Sequence, residues 1–120
     1  MLNRFKSREE QIAKMVEALY IPFDDIYKTS VKIAKEWGDE SQISVKVIGQ
    51  CVNIAIDNAA KMKGKEIAPI RTNLITLLGT LKTLCNQKAE EMGRKTIPRV
   101  VLAEYIRVIK DKIKEGSELK

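Results

Sequence analysis

The chain has 120 residues, 44% of them hydrophobic, and a formal net charge of +6 from 22 Lys and Arg against 16 Asp and Glu. That size suits one domain with an adequate core and no need of disulfide or metal staples, and the balance of apolar to charged residues excludes wholesale disorder. No apolar run approaches the ~20 residues that span a bilayer, and the complete lack of His removes Ser-His-Asp and Cys-His nucleophile schemes together with the commonest metal ligand.

Apolar residues recur at three and four positions while Gly and Pro fall at the breaks, which predicts an all-α, single-domain irregular bundle of about five helices over residues 1–120. Residues 1–6 and 116–120 are expected to fray. The first helix is read as starting at Ser7, with Glu10 reaching back, an apolar face of Ile12, Met15, Val16 and Leu19, and an end or redirection at Pro22. The second, about Phe23 to Trp37, turns Phe23, Ile26, Tyr27, Ser30, Ala34 and Trp37 inward, with Gly38 suited to a left-handed stop.

A third helix is predicted from about Glu40 to Met62, capped by Asp39 with Gln42 at box spacing. Its apolar residues, among them Ile43, Ile48, Cys51, Ile54 and Ala59, cover roughly 200° of the circumference, too wide for a one-sided surface stripe. Pro69 opens a fourth helix with Leu74, Leu77, Leu78, Leu81, Cys85 and Met92 inside and Gly93 at its end. Third and fourth helices are therefore expected to be central. Thr96, with Pro98 in the first turn, is read as capping a fifth helix whose inner face is Leu102, Tyr105, Ile106, Ile109 and Ile113.

Cys51 and Cys85 fall in apolar stripes and read as small buried hydrophobes. The Lys, Ile and Glu richness without His is compatible with a thermophilic source. Met1 to Ser7 carries basic residues but no apolar segment behind them, so a cytoplasmic location is expected. Acidic pairs at Asp24-Asp25 and Asp39-Glu40 sit at predicted helix starts, where they offset the helix dipole. No phosphate-binding glycine loop is present. An enzyme is not expected, nor a cofactor, nor a metal site.

One feature points to a partner. All six surplus charges lie between Lys61 and Arg99, where nine Lys or Arg face only Glu66, Glu90 and Glu91; elsewhere thirteen basic residues meet thirteen acidic ones. Confined positive charge bears on association rather than fold. Lys61, Lys63, Lys65 and Arg71 cluster before the fourth helix, Arg94, Lys95 and Arg99 after it, and Lys82 shares the angular position of Arg71 and extends a track along the helix. Lys88 falls towards the buried side.

Between these clusters the outer side of the fourth helix carries Thr72, Thr76, Gly79, Thr80, Thr83, Asn86 and Gln87, small and uncharged where Lys or Glu would form helix better. The expected function is a non-catalytic module that binds RNA or DNA without reading sequence, or a small subunit of a nucleoprotein assembly. The alternative is a homo-oligomeric or adaptor bundle whose Thr-rich face packs on protein. With six aromatics, most committed to helix packing, no base-stacking platform is visible.

Overall fold

A computed structural model of the chain describes residues 8–65 and 67–118. Ser7 as a cap, the fraying of 1–6 and 119–120, and the side chains of Ile12 and Met15 lie outside what it describes. Within it are four helices and two short strands, α1 (Arg8–Glu36), β1 (Gln42–Ser44), α2 (Val45–Ala60), α3 (Ala68–Met92), β2 (Thr96–Pro98) and α4 (Arg99–Glu118). The all-α class therefore holds with four helices in place of five, plus a small antiparallel ribbon.

The missing helix boundary is at Pro22, which sits inside α1 without breaking it. A proline in a helix interior forfeits one backbone hydrogen bond and costs about 3 kcal/mol. Across this position, however, the apolar stripe keeps its phase: Val16, Leu19 and Tyr20 lead without a step into Phe23, Ile26, Tyr27, Ser30 and Ala34. Phe23, Ile26, Ser30 and Ala34 are buried, and burying Phe23 and Ile26 alone gains about 1.5–3 kcal/mol each. One continuous packing face thus outweighs one lost bond. Gly38 ends the helix region as expected, at φ 98°, with the Asp39 amide donating to the Ala34 carbonyl at 3.1 Å. Trp37 lies beyond the last helical residue and is 70% exposed, not inward.

The predicted third helix loses its first turn to a strand. Gln42, Ile43 and Ser44 pair with Pro98, Ile97 and Thr96, and the ladder continues through the Val45 amide to the Lys95 carbonyl at 3.1 Å and the Arg99 amide to the Ser41 carbonyl at 2.8 Å. Thr96 Oγ1 donates to Gln42 Oε1 across the pair at 3.0 Å. Ile43 and Ile97 are direct cross-strand partners on one face of the ribbon, both completely buried. Ser44, rather than Asp39, caps α2 by accepting from the Val47 amide at 3.3 Å. Asp39 instead accepts from the Ser41 hydroxyl at 2.6 Å and the Ser41 amide at 3.0 Å, bonds that hold its carboxyl below the usual carboxylate range. Likewise Thr96 and Pro98 belong to β2, α4 begins at Arg99, and it runs past Gly116 to Glu118.

The helices close a ring in which α1 and α3 each pack on both α2 and α4, with the α2–α3 contact the most extensive. The helices expected to be central, α2 and α3, share that most extensive contact, and each keeps an exposed side, at Ile54 on α2 and at Thr72, Thr76 and Thr80 on α3. One hydrophobic cluster, including Phe23, Ile43, Ile48, Val52, Leu78, Leu81, Cys85, Ile97, Leu102 and Ile109, fills the ring and reaches under the ribbon. Asp24 and Lys110 form an ion pair between α1 and α4, and the Lys110 ammonium lies 5.3 Å from the centre of the Tyr20 ring. Among the described residues no helix is long and apolar enough to cross a membrane.

Candidate nucleic-acid interface

The basic residues before α3 occupy a tight connection. Lys61 terminates α2, its amide donating to the Ala59 and Asn58 carbonyls. Gly64 at φ 121° takes a backbone conformation that side chains avoid, and its carbonyl receives the Ile67 and Ala68 amides at 3.2 Å each. The reversal throws Lys61, Lys63 and Lys65 outward, all three exposed, and among the described residues none of them has an ion pair. Arg71 is different. Its Nη1 donates to the Met62 carbonyl at 2.6 Å, so this guanidinium clamps the first turn of α3 to the connection.

Lys82 leans across the surface to α2. Its Nζ donates to Asn53 Oδ1 on α2 at 3.2 Å, and its Cε lies 3.4 Å from where a Cβ on residue 49 would stand, an ordinary van der Waals distance. Arg71 and Lys82 do share an angular position, but that line of α3 faces α2. Both cations are drawn towards α2, which sets the expected track aside from the Thr-rich face. Lys88 is half-buried and reaches Glu91 at 3.8 Å.

After α3, Gly93 at φ 63° carries the chain into Arg94 and Lys95, both exposed. Arg99 is half-buried, with Nη1 3.9 Å from Glu40. Exposed Glu90 and Glu91 lie one turn earlier, so two acids face two exposed cations here, whereas Lys61, Lys63 and Lys65 have Asp57 one turn before them and Glu66 after them, which leaves their connection the more positive end. The two ends stand about 37 Å apart, the length of the 25-residue α3 at its 1.5 Å rise. With a Debye length of about 10 Å at 0.1 M salt, they act as independent sites for any small anion.

The Thr-rich side of α3 faces solvent. Thr72, Thr76, Thr80, Thr83, Asn86 and Gln87 are exposed, and a Cβ at Gly79 would meet nothing within 4 Å. Thr76 and Thr80 Oγ1 donate back to the carbonyls of Thr72 and Thr76 at 3.0 Å each, leaving their oxygens as acceptors on an uncharged strip between the two basic ends.

The second surface was not legible as such. An apolar groove of about 530 Å³ opens between α1, α2 and the start of α3, with Ile26, Cys51, Ala55, Ile70 and Leu74 among its lining residues. Its signal in the sequence is the roughly 200° apolar arc of the predicted third helix. Part of that arc has no neighbour, and Ile54, expected inside, is 61% exposed.

Fold and surface together define a four-helix ring with an antiparallel ribbon, one basic connection and one open groove. Comparison of the chain with protein-family models, with curated proteins and with solved structures finds no match.

Proposed function

We propose that this protein is a non-catalytic helical module that holds nucleic acid by its phosphates without reading sequence, alone or as a small subunit of a nucleoprotein assembly. The observation that carries the reading is the Lys61, Lys63 and Lys65 cluster, three exposed ammonium groups on one short connection with no ion pair to another described residue. Such groups displace condensed counterions from a phosphate backbone, which is the source of affinity in binding that ignores sequence. Arg94 and Lys95 supply a second contact, and the hydroxyl and amide strip of α3 suits phosphate and sugar oxygens between the ends. Arg71, Lys82 and Arg99 have structural partners and act as supports rather than as contacts.

Fluorescence anisotropy with single-stranded RNA, single-stranded DNA and duplex DNA at two salt concentrations tests this. Salt-sensitive binding is expected, and Lys61→Glu/Lys63→Glu/Lys65→Glu, folded by circular dichroism, should weaken it for every sequence and flatten the salt dependence by about one unit of slope per lysine. Absence of binding at low salt, or binding that the folded triple variant retains in full, sinks the reading.

A further inference from the structure

The apolar groove and the basic connection are parts of one surface. β1 joins the end of α1 to the start of α2, so the groove's walls, Ala18 to Thr29 and Cys51 to Met62, run antiparallel for about 16 Å, or three helical turns. Met62 and Ile67 line one end, and Lys63 and Lys65 lie between them in the chain. The lysine-rich connection is therefore the end wall of the groove.

The charged residues within a turn of the lining decide what can enter. Exposed Lys14 stands with Lys61, Lys63 and Lys65 at this end, and exposed Lys28 and Lys32 stand at the other. None of these lysines is ion-paired to a described residue. Arg71 is held by the Met62 carbonyl and Asp24 by Lys110. The remaining acids are exposed Glu17 and Asp57, Glu66 in the connection, and Asp25 on the wall. Both ends of the rim are thus net positive, which sets like charge against a second copy of this surface. A single-headed anionic amphiphile meets the lysines of one end only.

Between the ends the lining is apolar except for Asp25, Thr29 and Asn58. Ile21 and Ile54 rise from opposite walls at 57% and 61% exposure. A matching occupant is anionic along its length and apolar on its side groups. A nucleic-acid strand with unpaired bases has both properties, whereas a duplex stacks its base faces inward. The walls span about five phosphates at the 3.4 Å rise of a stacked strand, and fewer when it is extended. Asp25 repels phosphate and so keeps the backbone on the rim, and its carboxylate accepts from base N–H groups, as do the side-chain oxygens of Asn58 and Thr29.

We propose that single-stranded nucleic acid lies along this groove, with its phosphates on the lysines of the rim and its unpaired bases packed between Ile21 and Ile54. This rests on the phosphate-binding reading and adds to it the state of the strand and the place of its bases.

Fluorescence anisotropy tests it with an oligothymidylate of about 12 nucleotides and an abasic strand of equal length, which carries the same phosphates and no bases. At one low salt concentration the oligothymidylate should bind at least tenfold tighter, the lower end of what one packed base contributes. Ile21→Ser/Ile54→Ser, both at exposed positions, should bring it down to the abasic level and leave the abasic affinity unchanged. Lys28→Gln/Lys32→Gln should weaken both strands alike and flatten their salt dependence. At equal occupancy the oligothymidylate should shield Cys51 from iodoacetamide more than the abasic strand does. Equal affinity for the two strands overturns the groove as the site for bases and leaves the phosphate contact standing, as does a preference that Ile21→Ser/Ile54→Ser keeps in full. Failure of folded protein to bind either strand at low salt overturns both.

Discussion

Ser30 is buried to 1% exposure in the middle of α1, and its hydroxyl has no hydrogen-bond partner among the described residues. An unsatisfied buried polar group costs about 1–3 kcal/mol, while Ala is the better helix former. Ser30→Ala is therefore expected to raise stability by about 1 kcal/mol in urea unfolding; a loss of similar size would show that the hydroxyl has a partner after all. The two free thiols differ in the same way, by position rather than by chemistry. Burial pushes the Cys85 thiol up to about 12, so at pH 8 almost none of it is the reactive thiolate. Cys51 is half-buried and lines the groove. Iodoacetamide at pH 8 should modify Cys51 first in dilute native protein and reach Cys85 only on unfolding, as read by mass spectrometry of the peptides. Comparable native rates for the two would contradict this placement of Cys85.

At the scale of elements, the ribbon is a strong test of how the four helices are held. Ile43 and Ile97 are fully buried beneath a pair of strands only three residues long, at the end where α1 and α3 stop and α2 and α4 begin. Ile97→Ala should cost about 2–5 kcal/mol, as large-to-small changes in a closed core do. Val100, three residues later on α4 and 73% exposed, should tolerate Ala within about 0.5 kcal/mol. Equal losses at the two sites in urea titrations would mean that the ribbon does not close the core. The helices themselves were legible because each carries its apolar residues at helical spacing. Gly38 and Gly93 marked ends correctly, both with positive φ. The strands were not legible, since Gln42-Ile43-Ser44 and Thr96-Ile97-Pro98 are too short for alternation to register and their pairing spans more than fifty residues. Polar residues ahead of an apolar run also resemble helix caps. Pro22 is the converse case: proline breaks helices by a local rule, while the unbroken phase of the stripe on either side of it keeps α1 in one piece. Arg71 and Lys82 show a further limit, because spacing gives the side of a helix but not which neighbour covers that side.

For the whole molecule, the decisive quantity is the distance between the two basic ends. About 37 Å separates the Lys61–Lys65 connection from Arg94 and Lys95 along α3, and B-form DNA advances about 3.4 Å per base pair, so the span corresponds to about 11 base pairs. A shorter duplex can touch one end at a time, and the stronger, less acidic connection should take it. On a duplex of about 8 base pairs, Arg94→Glu/Lys95→Glu should therefore bind almost as the wild type does, whereas Lys61→Glu/Lys63→Glu/Lys65→Glu should lose most affinity. On a duplex of about 20 base pairs both variants should lose affinity, because one ligand now bridges both ends. Titrations at a single low salt concentration, compared as ratios to wild type at each length, remove the trivial gain from extra binding positions on the longer duplex. If the Arg94 and Lys95 variant loses the same factor at both lengths, the ends act separately and no single duplex lies along α3. If the loss appears only beyond the span of α3, the uncharged Thr, Asn and Gln strip is the surface over which the duplex passes.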